Sequence, residues 1–115
     1  MKLKFETENV EAQTTSGGTD FVGFYTEENY LVFQRRDDLG DVYYVERDDQ
    51  SYSCYGGVER IELTPSSISV TLDEVGQNRL ECESVSVDFS AEPETFESMK
   101  AMLAKMVGER LAVTE

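Results

Sequence analysis

Any chemistry in this chain would have to rest on carboxylates. The 115 residues include 24 Asp and Glu, no His and only two Cys, Cys54 and Cys82. The acids crowd together at Asp37, Asp38 and Asp41, and again at Glu46, Asp48 and Asp49. A hydrolytic carboxylate pair needs one group held protonated and the other ionised on either side of a bond. Asp48 and Asp49 instead adjoin in a predicted turn, where both are expected to be solvated and neither pushed toward a catalytically useful pKa. Without imidazole the usual general base near neutral pH is missing. Two thiols without His supply neither a Cys-His nucleophile pair nor a zinc site. Asp37-Asp38-Leu39-Gly40-Asp41 shares only its carboxylates with a calcium loop, since the oxygen-rich spacing and closing Glu are absent. Gly17-Gly18 and Gly56-Gly57 lack the helix and Lys that follow a phosphate-binding loop. The expectation is therefore no enzyme, no metal and no cofactor.

What remains is binding. A formal net charge of −14 argues against nucleic acid and against an anionic membrane, because phosphate contacts need Lys and Arg. It suits a basic protein partner, drawn in by long-range attraction, although acidity also serves solubility. All six tyrosines, Tyr25, Tyr30, Tyr43, Tyr44, Tyr52 and Tyr55, lie in the middle of the chain among those acids. Tyr gives large contact area at modest entropic cost and is over-represented at interface hot spots. Strands also favour Tyr for their own reasons.

The elements that must position these groups read as strands. Lys2 to Glu11 alternates as one half-solvated strand, with Leu3, Phe5 and Thr7 on one side. Gln13 to Asp20 is a loop. Phe21 to Thr26 and Tyr30 to Arg36 form a hairpin through Glu27-Glu28-Asn29. Val42 to Val45, Tyr52 to Tyr55 and Val58 to Leu63 follow, divided by Asp48-Asp49-Gln50-Ser51 and by Gly56-Gly57, the pattern of a β-meander. Gly-Gly between strands signals a tight hairpin, because primed turns need positive φ. Pro65-Ser66 makes the next reversal. With both loops two residues long, Tyr52 lies across from Ile61 and Cys54 from Glu59. Leu63 then faces Ile68, Ile61 faces Val70, and Glu59 faces Leu72. Tyr52, Cys54, Ile61, Leu63, Ile68, Val70 and Leu72 share the buried face; Ser53, Tyr55, Arg60 and Glu62 share the other. Glu59 is the misfit and belongs near a sheet edge.

Asp73 to Arg79 reads either as a loop or as one helical turn capped by Asp73. Glu83 to Phe89 alternates, burying Val85, Val87 and Phe89, while Cys82 has the opposite parity, which disfavours a disulfide to Cys54. One helix is strongly marked. Ser90 caps it, Pro93 occupies its first turn and Gly108 ends it. Phe96, Met99, Met102, Leu103, Met106 and Val107 form its apolar stripe. Burying that stripe at roughly 2 kcal/mol per side chain yields on the order of 10 kcal/mol, so the helix must cover the sheet. The expected architecture is α+β, an antiparallel β-meander sheet with one face covered by the C-terminal helix, in a single domain over residues 1–115. Met1-Lys-Leu-Lys-Phe-Glu6 opens without the apolar core of a signal peptide, and no apolar run approaches membrane-spanning length. A reduced, cytoplasmic location follows from these readings.

Tyr30-Leu-Val-Phe-Gln-Arg35, Val42-Tyr-Tyr-Val-Glu46, Asp49-Gln-Ser-Tyr-Ser-Cys-Tyr-Gly-Gly57 and Ile61-Glu-Leu63 together resemble the immunity protein 10 family of bacterial polymorphic toxin systems. The resemblance runs over nearly the whole chain, with DQSYSCYGG as its most specific part. It implies a small cytoplasmic α+β protein that binds and neutralises a cognate toxin domain and has no catalytic residues. The toxin's activity does not carry over. Asp49, Gln50, Tyr52, Tyr55, Gly56 and Gly57 of the motif suit architecture as well as binding. The candidate partner-binding residues are Asp37, Asp38, Asp41, Tyr44, Glu46, Asp48, Asp49, Tyr55 and Glu62, presented to a basic toxin surface. The competing reading is an oligomeric or scaffold module without a toxin; a carboxylate hydrolase is a third, and it would require turnover that single Asp→Asn changes abolish.

Overall fold

Strands rich in β-branched and aromatic residues account for 50% of the chain and helices for 24%, in a computed structural model that describes residues 1–40 and 42–115. The strands are β1 (Lys2–Thr7), β2 (Asn9–Thr14), β3 (Thr19–Tyr25), β4 (Tyr30–Arg36), β5 (Tyr43–Arg47), β6 (Asp49–Tyr55), β7 (Val58–Thr64), β8 (Ser67–Leu72), β9 (Ser84–Phe89) and β10 (Leu111–Val113). The helices are α1 (Glu74–Leu80) and α2 (Pro93–Val107), with short 3₁₀ turns at Asp37–Leu39 and Gly108–Arg110.

The α+β class holds, but the strands make two sheets where one was expected. A meander sheet runs β2-β3-β4-β5-β6, antiparallel throughout. A mixed sheet runs β1-β9-β8-β7-β10, with β1 parallel to β9 and β10 parallel to β7. The N-terminal stretch read as one strand breaks at Glu8, sending β1 and β2 into different sheets.

The Gly56-Gly57 expectation is the main correction. Both glycines do have positive φ, 75° and 87°, but they carry the chain from one sheet to the other and do not fold it back into a hairpin. Tyr52 and Cys54 therefore do not face Ile61 and Glu59: Cys54 lies opposite Val45, and Ile61 opposite Val70 and Leu111. The reason lies in α1. The Gly57 carbonyl accepts the Asp73 backbone N–H at 2.9 Å, and Gly76 packs so closely that a Cβ there would stand 2.2 Å from the same oxygen.

At Pro65-Ser66 the structure follows the sequence: Leu63 faces Ile68 and Ile61 faces Val70. The third pair slips, because Val58 takes the place opposite Leu72 and Glu59 becomes the extra residue of a bulge, exposed to solvent. Bulges of this kind leave one residue unpaired and bend the strand. The β3–β4 hairpin pairs Tyr25 with Tyr30 around the expected turn. Asp73 caps a full helix, its Oδ1 accepting the Gly76 N–H at 2.8 Å.

Alternate residues of both sheets turn into one continuous core that includes Val22, Phe24, Phe33, Val45, Ile61, Val70 and Val87. Phe24 of the meander sheet meets Phe89 of the mixed sheet with ring centroids 5.3 Å apart. α2 buries Phe96, Met99, Leu103, Met106 and Val107, the stripe read from its spacing except for Met102, which is half-buried at the edge of the core. It spans β2 and β3 of one sheet and β7 and β10 of the other, so it covers a margin shared by both sheets and not the face of one. Its N-cap is Glu92, without a side-chain cap, and not Ser90; Pro93 opens the helix and Gly108 closes it as expected. On the opposite margin α1 packs against β6. Cys54 and Cys82 are both free and buried.

Candidate functional site

Because side chains alternate across a strand, the residues of the meander sheet that do not enter the core form a second, outward face. Its rows follow from the register. Phe21, Gln34, Tyr44 and Tyr55 stand side by side across β3 to β6. Gly23, Val32, Glu46 and Ser53 form the next row, and Tyr25 and Tyr30 the one after. Four tyrosines thus share one face. The two others do not: Tyr43 is buried and its hydroxyl accepts the Val58 N–H at 3.1 Å, while Tyr52 is half-buried beneath the Arg47 guanidinium, 3.9 Å from its ring centroid.

Two carboxylates organise the face. Glu46 accepts the hydroxyls of Tyr30 and, at 2.5 Å, of Tyr44. Glu11 accepts the Tyr25 hydroxyl at 2.6 Å, the Tyr25 ring lying over Gly23, where a Cβ would collide with it. Burial, then the hydrogen bond to Glu46 and its negative field, raise the Tyr30 phenol well above its ordinary range. Tyr44 is raised by the same causes. Tyr25 is raised by burial and then by Glu11. All three hydroxyls therefore stay protonated and donate to the two carboxylates.

Tyr44 and Tyr55 meet with ring centroids 5.2 Å apart and planes tilted by 59°. Tyr55 is 72% exposed. Beside them lies a groove of about 380 Å³ lined by Gln34, Arg35, Arg36, Tyr44, Glu46, Gln50 and Tyr55, among others. Its two arginines are already engaged. Arg35 Nη1 lies 2.7 Å from Asp37 and 3.7 Å from the buried Asp20. Arg36 grips Asp38 through both Nη2 and Nε, at 2.7 and 3.1 Å. Among the described residues no Lys or Arg forms an ion pair with Glu46.

The nine candidate residues thus separate. Tyr44, Glu46 and Tyr55 come together on the outer meander face. Asp37 and Asp38 sit just beyond β4, paired with the arginines of the groove. Asp48 turns into the structure: with φ of 63° it accepts the Tyr30 N–H at 2.9 Å and pairs with the buried Arg47 at 3.2 Å. Asp49 is exposed at the start of β6, where the N–H and hydroxyl of Ser51, each at 2.9 Å, hold its carboxyl below the usual carboxylate range. Glu62 lies on the other sheet, paired with Arg60 at 3.1 Å. Asp41 is outside the described residues. Tyr25, Tyr30 and Glu11 complete the face although the sequence reading did not select them. Their signal was available in the parity of β4, where Leu31 and Phe33 are apolar and Tyr30, Val32 and Gln34 must point the other way.

The mixed sheet turns a different surface outward. Ser69 pairs with Ser86, Thr71 with Ser84 and Ser67 with Asp88, bordered by Lys2, Lys4 and Glu6 of β1. Aromatic area is therefore concentrated on one side of the molecule. Among the described residues no cluster of three or more Cys, Asp and Glu side chains is placed to hold a metal, and no helix is long and apolar enough to cross a membrane.

The fold and this face define an α+β protein that carries, among the described residues, a tyrosine-rich, carboxylate-bearing sheet surface. The sequence profile of immunity protein 10 matches residues 6–97, and the chain belongs to that family. Membership implies a cognate toxin as partner. No curated protein and no solved structure matches the chain.

Proposed function

We propose that this protein neutralises its cognate toxin in the cytoplasm by stoichiometric binding, without turnover, through the outer face of the meander sheet. The observation that carries this reading is the grouping of Tyr25, Tyr30, Tyr44 and Tyr55 around Glu11 and Glu46 on one face. Tyr25, Tyr30 and Tyr44, held by hydrogen bonds, lose little conformational freedom on docking, so their contact area converts to affinity efficiently; Tyr55 adds exposed ring surface against Tyr44. The hydroxyl-rich outer face of the mixed sheet has no comparable anchors. A net charge of −14 makes a basic toxin surface the complementary partner. It also opposes face-to-face pairing of two copies, which would set Glu46 of each against like charge.

Within this reading Tyr44, Glu46 and Tyr55 are the centre of the interface, Asp37, Asp38 and Asp49 belong to its rim, and Asp48 supports the fold. The test is binding of the co-purifying toxin domain, identified by mass spectrometry, to Tyr44→Ala and Tyr55→Ala proteins. Each substitution should cost about 2 kcal/mol of affinity, roughly thirtyfold in Kd, and reduce protection of toxin-expressing cells. Glu62→Gln should bind like the unsubstituted protein. If both Tyr variants bind normally, the face is not the interface. Self-association in place of toxin capture, seen by size exclusion across concentrations, would favour a scaffold module.

A further inference from the structure

Building on the binding face proposed above, we infer that the groove between Tyr44, Tyr55 and Glu46 receives one arginine side chain from the toxin. The argument starts with Glu46. Its carboxylate holds two tyrosine hydroxyls, yet each carboxylate oxygen can accept more than one hydrogen bond. No basic side chain is paired to it among the described residues, whereas Arg35 and Arg36 along the same groove are satisfied by Asp37 and Asp38. The open acceptor positions of a carboxylate without a basic partner call for a cation with several donors.

The walls define which cation. Tyr44 and Tyr55 present ring surface at the mouth, tilted toward one another, with Tyr55 mostly exposed. A planar guanidinium can stack on a tyrosine ring while its edge donates to a carboxylate; an ammonium is a point charge, more strongly hydrated, and gains less from the ring faces. The molecule already uses that arrangement internally, where Arg47 stacks at 3.9 Å over Tyr52 while donating to Asp48 and to the Leu80 carbonyl. The surface groove has the same two ingredients, tyrosine ring and carboxylate, while its own Arg35 and Arg36 are paired with Asp37 and Asp38 and not with Glu46. Its volume of about 380 Å³ is ample for an arginine side chain.

The experiment uses the whole protein and a small probe, N-acetyl-arginine amide, titrated under nuclear magnetic resonance. Saturable shifts confined to Tyr44, Tyr55, Glu46 and Gln34 are expected, with affinity falling about tenfold in Glu46→Gln. Glu62→Gln should leave the titration unchanged, and the unaltered remainder of the Glu46→Gln spectrum would show that it folds. N-acetyl-lysine amide should bind several-fold more weakly. Shifts spread over the whole acidic surface, an equal response to the lysine probe, or no saturation would overturn the assignment. These failures differ from failure of the binding face itself. Loss of toxin binding in Tyr55→Ala with no arginine site would keep the face and remove its occupant, whereas an arginine site beside normal toxin binding would remove the face.

Discussion

A methyl group added at Gly76 would stand 2.2 Å from the Gly57 carbonyl oxygen and 3.0 Å from its carbon. Two opposed effects act there. Alanine is preferred over glycine within a helix by about 1 kcal/mol, but the colliding atoms are backbone, which cannot swing aside as a side-chain tip could. Displacing α1 from β6 costs more than the propensity returns, so Gly76→Ala should destabilise the protein by about 2 kcal/mol, measured as a lowered urea midpoint with unchanged slope. An unchanged or raised midpoint would mean that the close approach is readily relieved. The same contact explains why Gly56-Gly57 was misread. Positive φ at both positions is visible in the residue type, and a hairpin is its commonest use. What turns it into a crossing between sheets is Gly76, far along the chain and invisible to local pattern. Arg47 was missed for a related reason: a buried arginine has no sequence signature, and its partners Leu80 and Tyr52 come from other elements. The placement of Tyr44, Glu46 and Tyr55 on one outward face, by contrast, is visible in strand parity, since residues two apart share a face and Tyr55 follows the buried Cys54.

At the level of elements, periodicity was informative wherever each face met a distinct environment. β9 shows it, with Val85, Val87 and Phe89 inside and Asp88 exposed, and so does α2. Leu103 is fully buried in the middle of that helix, where α2 ties β2 and β3 to β7 and β10. Leu103→Asp would place an unpaired carboxylate in the core at a cost above about 4 kcal/mol. That is a large share of a small domain's stability, so the variant should lose its cooperative unfolding transition at room temperature. A transition retained at the original midpoint would be incompatible with this packing. Helix ends were less legible than the stripe. Ser90 is a good cap by type, yet the chain remains extended until Glu92, and Pro93 then sets the first helical turn. Assignment of strands to sheets could not be read at all, because alternation says which face a residue takes and not which sheet receives it.

For the whole molecule, the relevant scale is the range of its field. The protein measures 32 × 31 × 27 Å. At about 0.01 M salt the screening length is roughly 30 Å, so a charge of −14 is felt a full molecular diameter away; at about 1 M it shrinks to roughly 3 Å. Association with a basic toxin domain should therefore slow by about tenfold or more across that range in stopped-flow measurements, with the dissociation rate changing much less. A salt-independent association rate would point to an apolar or acidic toxin surface.

The two sheets also differ in how far apart along the chain their strands lie. Every pairing in the meander sheet joins consecutive strands, from β2 to β6, whereas the mixed sheet needs β9 before β1 has a neighbour and β10 to complete its far edge. Closing short loops costs less entropy than closing long ones. During synthesis, then, the tyrosine-bearing sheet has all its strands by Tyr55, while β1 must wait for β9 at Ser84–Phe89. The aromatic face is the part of the molecule whose assembly can begin earliest, and the late arrival of β9, α2 and β10 supplies the apolar backing that fixes it in place.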